Sequence, residues 1–150
     1  MKGERLKLSK RTEYGLRAVV HLAQLWPHKY IQAKDLSKEG NLPGKFLESI
    51  LLALRRGGFL ESKVGSGGGY RLSRSPRDIR VGEIVRRLEG RLTIKERTGQ
   101  PEGRPGEIAV RLINIKLTVA TDEVLDKLTV EELAEQALRG GNSLQSMYYI

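Results

Sequence analysis

Apolar residues recur every three to four positions through most of the first 56 residues, and that period predicts three consecutive helices. Within 10–26, Tyr14, Leu16, Val19, Val20, Ala23 and Trp26 fall at helical spacing behind Ser9, a residue suited to cap a helix start. Pro27 ends the run by removing a backbone donor. Residues 33–39 predict a short second helix facing inward through Ala33 and Leu36, and Gly40-Asn41 follows as a turn that tolerates positive φ. A third helix is predicted over 43–56, with Pro43 in its first turn, Leu47, Ile50, Leu51 and Leu54 as its buried stripe, and Gly57-Gly58 as its stop.

The pattern then changes. Residues 59–64 read as a strand, 65–69 as a turn and 70–72 as the returning strand, and four of the five turn residues are glycine. A hairpin directly after a tightly joined helix pair predicts a winged helix-turn-helix, whose glycine tip lets backbone approach a phosphate or a groove closely. A nucleotide-cradling loop is the poorer reading, because the glycines lead into a strand and no lysine-serine or lysine-threonine pair follows. A fourth helix over 82–88 turns Ile84, Val85 and Leu88 inward and closes at Gly90.

Residues 91–106, with prolines and glycines near their end, predict a linker. From 107 to about 127 a long helix carries one stripe of Ile108, Leu112, Ile115 and Val119 beside another of Val110, Ile113, Leu117 and Val124. One stripe is expected to pack on the fourth helix and the other on a second copy of the chain, with Ile108, Leu112, Ile115 and Val119 as the dimerisation candidates. Thr129-Val-Glu-Glu132 predicts a capping box for a last helix over 130–138, ended by Gly140-Gly141-Asn142. The expected fold is mainly α with a small β wing: a DNA-binding unit over 1–90, the linker over 91–106, and a dimerisation helix, final helix and tail over 107–150.

Charge sharpens this reading. Residues 1–90 hold 19 basic and 9 acidic side chains, whereas residues 91–150 hold 8 and 9, so the positive field belongs to the helix-turn-helix and wing. A polyanion is the natural partner, and with this fold it is double-stranded DNA. The chain has no cysteine, which excludes disulfides, thiolate zinc sites, cysteine nucleophiles and all-cysteine iron-sulfur clusters. No apolar run approaches the roughly 20 residues of a membrane helix, and the start lacks the apolar stretch of a secretion signal, so a cytoplasmic location without membrane contact is expected. No enzymatic site is expected. His21 lies in an apolar helix and His28 follows Pro27, neither within a metal or triad motif. Asp122, Glu123 and Asp126 read as solvated charge, and no metal or cofactor is called for.

In a helix-turn-helix the second helix of the pair enters the major groove. Lys45, Glu48 and Ser49 on its first turns are the base-reading candidates. A carboxylate near a polyanion is costly unless it accepts from a cytosine amino group, so Glu48 is either a base reader or a solvated partner of Lys45 or Arg55. Lys7, Lys10, Arg11, Arg55, Arg56, Lys63, Ser66, Gly67, Arg71 and Arg74 are the backbone-contact candidates.

Several segments together resemble one family. Leu8-Ser-x-x-Thr-Glu-Tyr-Gly-Leu-Arg-Ala18, the Leu47-Glu48 pair, Gly65-Ser-Gly-Gly-Gly-Tyr70, Ile79-x-Val-Gly-Glu-Ile84 and Leu128-Thr-Val-Glu-Glu-Leu133 are similar to the Rrf2 family of bacterial winged-helix regulators. The resemblance implies a homodimer with crossed long helices that binds operator DNA. Many members hold an iron-sulfur cluster on three cysteines placed after the fourth helix. Here residues 91–106 contain none, and Glu13, at the position of an acidic cluster ligand in some members, has no cluster to complete. Glu48 matches a family residue that discriminates operators, whereas Lys45 and Ser49 depart from the family pattern, and Val64 stands where some members have a wing arginine. Leu88-Glu-Gly90 and Met147-Tyr-Tyr-Ile150 are most similar to cysteine-free members that repress cysteine and sulfur metabolism, which implies cysteine synthase as a partner. Tyr148, Tyr149 and Ile150 are the candidate contacts, Ile150 offering a terminal carboxylate to the synthase; packing of this tail on the dimer is the other reading. A regulator of the same fold answering to another small molecule or protein, and a winged-helix interaction adaptor, remain as alternatives.

Overall fold

The Ser9 hydroxyl accepts from the Thr12 amide at 3.2 Å and starts α1 (Lys10–Leu25), which ends one residue earlier than its spacing predicts, at the Trp26-Pro27 step. The computed structural model describes residues 8–90 and 103–140. Lys7, most of the expected linker (91–102) and the tail with Tyr148, Tyr149 and Ile150 lie outside the described residues.

The inward line of α1 differs from the one expected. Thr12, Gly15, Ala18, Val19 and Leu22 are buried, whereas Tyr14, Leu16, Val20 and Trp26 are only half-buried. Close approach of two helices is the reason: a Cβ at Gly15 would stand 2.1 Å from Leu88 Cδ1, so α1 meets the fourth helix through its small residues.

Next come α2 (Ala33–Glu39) and α3 (Gly44–Arg56). The positive φ of the turn between them falls on Asn41, at +49°, while Gly40 is right-handed; Pro43 stands just before α3 rather than inside its first turn. Leu47, Ile50, Leu51 and Leu54 are all buried, as their spacing predicts.

The wing consists of β1 (Leu60–Lys63) and β2 (Gly69–Leu72), antiparallel, with Leu60 opposite Leu72 and Lys63 opposite Gly69. Ile31 adds a one-residue bridge: its amide donates to Tyr70 O at 3.0 Å, and the Tyr70 amide donates back at 2.8 Å. This corrects the reading of the glycines as a tip alone. A Cβ at Gly69 would lie 2.2 Å from Ile31 O, so that glycine lets the hairpin close on the body, and of the four turn glycines Gly65 and Gly67 alone combine positive φ with open space.

A short 3-10 turn (Pro76–Asp78) leads to α4 (Val81–Glu89), which is one residue longer at each end than its pattern suggests. The last part of the expected linker is helical: α5 (Pro105–Lys127) begins where the Arg104 amide donates to the Glu107 carboxylate at 3.2 Å. At about 1.5 Å per residue, its 23 residues extend about 35 Å. Then α6 (Val130–Leu138) starts on the expected capping box, Thr129 and Glu132 exchanging bonds of 3.1 and 3.3 Å.

Helix α6 does not stand apart with α5. Val130 and Ala134 are buried, α6 packs on α1 and the 3-10 turn, and the Val81 and Val130 amides donate to Leu128 O and Ile79 O at 2.8 and 2.9 Å. The last helix therefore completes the core formed by residues 8–90. Helix α5, by contrast, buries no residue. It does pack on α4, as expected of it, but the residues of both predicted stripes stay exposed, apart from the half-buried Ile108. Its polar anchor to α4 lies near its C-terminal end, where Arg86 donates to Asp122 at 2.8 Å and to Asp126 at 2.6 Å, and where Gly82 leaves room for Leu125.

Candidate nucleic-acid interface

The burial of Leu47, Ile50, Leu51 and Leu54 forces the opposite line of α3 outward, because successive residues step about 100° around the axis. Lys45, Ser49, Leu52 and Arg56 occupy that line, with Glu48 and Arg55 on one flank and Phe46 on the other. All of these side chains are exposed. Among the described residues Glu48 forms no ion pair, so neither Lys45 nor Arg55 neutralises it.

Two other elements hold this face in place. Arg11, on the first turn of α1, donates to Ser49 Oγ at 3.2 Å, joining two expected contact residues from different helices. Arg17, one face further along α1, donates to Gly40 O and Asn41 O at 3.1 and 2.9 Å and so fixes the turn that sets the angle of α3. Arg87 of α4 caps the other end by donating to Ala53 O at 2.9 Å. Composition marks Arg17 and Arg87 only as more positive charge, so their structural role is not legible in the sequence.

The backbone-contact candidates of the wing divide into two groups. Lys63, Ser66 and Gly67 are exposed at its tip. Arg71 is engaged from within: it pairs with Glu61, stacks over the Tyr30 ring at 4.4 Å and donates to Pro27 O at 3.3 Å. Arg71 holds the Glu61 carboxyl below its ordinary range, with a further bond from Tyr30. Arg74 is likewise occupied, donating to Gly58 O at 3.2 Å and Asp78 O at 3.3 Å and lying over Phe59. Their guanidiniums brace the hairpin, which leaves Lys63, its ammonium 6.0 Å from the Tyr30 ring, as the exposed cation without an ion pair nearest the tip among the described wing residues.

At the start of α1, Lys10 pairs with Glu13 at 3.1 Å, a contact that raises the lysine's pKa. Beside it the Glu89 carboxylate closes on the first turn, accepting from Thr12 Oγ1 and, at 2.8 Å, from Ser9 Oγ; these donors hold its pKa down. The last residue of α4 thus caps the helix that carries Lys10 and Arg11.

Against known proteins, residues 8–136 match the profile of a family described as Rrf2, iron-dependent transcriptional regulator. The chain belongs to the Rrf2 family. It is a DNA-binding transcription regulator, a non-enzymatic class, on the winged-helix fold of this family. The Rrf2 relative CymR of Bacillus subtilis, an HTH-type transcriptional regulator, is 32% identical over 145 residues, covering 97% of this chain and 100% of its own. The structure of B. subtilis CymR, described as the global cysteine regulator, superposes with a TM-score of 0.75 at 33% identity, covering 88% of this chain and 98% of its own. T. potens IscR gives 0.68 at 31% identity, covering 88% of each chain.

The iron of the Rrf2 description finds no fitting donor set here. The chain has no cysteine, His21 is paired with Glu39 at 3.1 Å, and no three histidine, aspartate or glutamate side chains converge among the described residues. Asp122 and Asp126 are engaged by Arg86 rather than solvated alone. Among the described residues no helix is long and apolar enough to cross a membrane.

One exposed residue escapes sequence reasoning: Phe46 is 56% exposed on the first turn of α3, while Val64, at the wing-arginine position noted above, is 96% exposed beside the wing tip. The signal for Phe46 is present in the pattern, since it lies about 100° off the Leu47 stripe. It is easily taken for core because it is aromatic.

Proposed function

We propose that the chain is a homodimeric, sequence-specific repressor of cysteine or sulfur metabolism genes, acting in the cytoplasm through Lys45, Glu48 and Ser49 in the major groove and Lys63, Ser66 and Gly67 on the DNA backbone. The observation that carries this reading is the similarity to CymR over 97% of the chain, together with a sequence that lacks cysteine. Lys10, Arg11, Arg55 and Arg56 add phosphate contacts on either side of the reading helix, Lys7 extends them, and Arg71 and Arg74 serve the wing from behind.

Dimerisation is supported by α5. Leu112, Ile115 and Val119 are 51%, 37% and 53% exposed, and Val110, Ile113, Leu117 and Val124 are more than two-fifths exposed as well. Ile108 continues the first stripe. An apolar strip of that length is a liability in a monomer and a natural seam between two copies. Two copies double the contacts to DNA and require half-sites whose reading helices stand about 34 Å apart.

Cysteine synthase is the proposed protein partner, through Tyr148, Tyr149 and Ile150, on the similarity of the last four residues to the cysteine-metabolism repressors. Calorimetric titration of the synthase with the full chain and with a chain lacking residues 147–150 tests this; unchanged affinity would remove the partner. A second reading, a regulator answering to a different signal, is favoured by the likeness to IscR and by NsrR of B. subtilis, 33% identical over 91 residues covering 61% of this chain.

Site selection from a random duplex library at near-physiological salt tests the function itself. Enrichment of a palindrome that also stands before cysteine or sulfur genes is the expected result. A palindrome before other genes would keep the regulator and discard the pathway.

A further inference from the structure

We propose that Phe46 is a specificity-determining residue that reads thymine, its ring packing on the C5-methyl group in the major groove. This rests on the DNA-reading role of α3 proposed above. The core has no use for the ring: Leu47, Ile50, Leu51 and Leu54 fill it, and Phe46 stays 56% exposed on the first turn of the helix. That turn enters a major groove first.

The surroundings narrow what covers the ring. Lys45, Ser49 and Arg56 share this exposed surface, and Arg11 reaches it through Ser49. Each can serve a phosphate or a base edge by hydrogen bonding. Phenylalanine has no donor and no acceptor, so a phosphate offers it nothing. Among the base edges of the major groove the thymine methyl is the one apolar group, and it is what a bare aromatic ring can recognise.

Geometry places the target. The Lys45 ammonium stands 5.6 Å from the Phe46 centroid, close enough for cation–π attraction to steady the ring. With base pairs about 3.4 Å apart, that separation spans between one and two steps. With a hydrogen bond of about 3 Å and a ring–methyl contact of about 4 Å added, the thymine lies within about four base pairs of the base or phosphate that Lys45 contacts.

The test uses the full chain and its selected operator. Each thymine of a half-site is replaced in turn by deoxyuridine, which removes the methyl and leaves every hydrogen-bonding group, and Kd is read by fluorescence anisotropy at fixed salt. One methyl burial corresponds to about fourfold in Kd for a single half-site and about fifteenfold for both. The expected result is that loss at one thymine per half-site, within about four base pairs of the position whose preference changes in Lys45→Ala. Phe46→Ala, which leaves the core intact, is expected to melt as the parent does and to bind thymine and uracil operators equally; Phe46→Leu is expected to retain part of the difference. Uracil without effect at every position, or an undiminished loss in Phe46→Ala, would overturn the inference while leaving the operator and the proposed function standing. A ring resting on a sugar would give the first of these outcomes. Failure to select any operator would instead overturn the DNA-reading function and this inference with it.

Discussion

Arg11 donates to the hydroxyl of Ser49 at 3.2 Å, so the first turn of α1 is hydrogen-bonded to the middle of the exposed face of α3. The bond settles which way one candidate contact points, and among the described residues the remaining donors of the guanidinium have no protein partner. Ser49→Ala removes the acceptor from an exposed pair, so melting is expected to change by less than about 0.5 kcal/mol. Discrimination between matched and single-mismatch operators is expected to fall, because the hydroxyl is gone and Arg11 loses the acceptor that fixes its geometry. Discrimination equal to the parent's in a competition assay would show that the pair has no part in reading.

Lys45 and Lys63 are expected to separate base reading from backbone binding. Lys45→Ala should cost about 1–3 kcal/mol on matched sites and far less on mismatched ones. Lys63→Ala should weaken all duplexes together and lower the salt slope by about 0.9. Equal losses on matched and mismatched duplexes for both variants would sink this division.

The closure of the wing on Ile31 makes Gly69 irreplaceable. Gly69→Ala must leave φ +131° and relieve a 2.2 Å clash with Ile31 O, so the expected destabilisation is at least about 1–3 kcal/mol in a urea titration. Gly67→Ala meets no neighbouring atom, and its expected cost is only that of its positive φ, about 1 kcal/mol. Equal midpoints for the two variants would count against the bridge as the wing's anchor.

Glu89 gives the stability an acid limb. Its folded-state carboxyl titrates below the ordinary 4.5 because Thr12 and Ser9 donate to it. A lowered folded value stabilises above the unfolded pKa and loses that contribution as pH falls through the folded one. Glu89→Gln is therefore expected to melt below the parent at pH 7, by about 1 kcal/mol, with the gap closing below pH 4.5. A constant gap from pH 7 to pH 3 would show that the carboxylate charge is not what caps α1.

Arg86 aims α5 by holding Asp122 and Asp126, and their contact keeps the Asp126 carboxyl below its ordinary range. These side chains are substantially exposed, so Arg86→Ala should change melting by no more than about 1 kcal/mol. Binding to a full palindrome is expected to weaken more than binding to an isolated half-site, because the two reading units lose their fixed separation. Proportional losses on both would remove the aiming role.

Most elements were legible because their periodicity was clean, as in α3, and the Thr129 capping box was legible because its chemistry is local. The inward face of α1 was misread because helices that approach closely select Gly15 and Ala18, which a search for large apolar residues passes over. The place of α6 was missed because its partners, α1 and the 3-10 turn, are remote in sequence. At the candidate interface, composition identified the cations but could not say that Arg71 and Arg74 face Glu61 and Gly58, since pairing across a hairpin depends on register. Phe46 was missed for the opposite reason, an apolar residue turned outward.

The packing of α6 on α1 also bears on how the molecule is made. Its first helix spans residues 10–25 and a helix that covers it begins at Val130, so the chain's earliest and latest parts must meet before the core is sealed. At a synthesis rate of roughly 5–20 residues per second, α1 waits between about 6 and 24 s for that partner. During that interval a nascent chain would display the α1 surface that Val130 and Ala134 later cover, along with the bare stripes of α5. Those same surfaces are what a chaperone at the ribosome exit would bind, and a message cut short before codon 130 would yield a helix-turn-helix with its charge in place and its core unsealed.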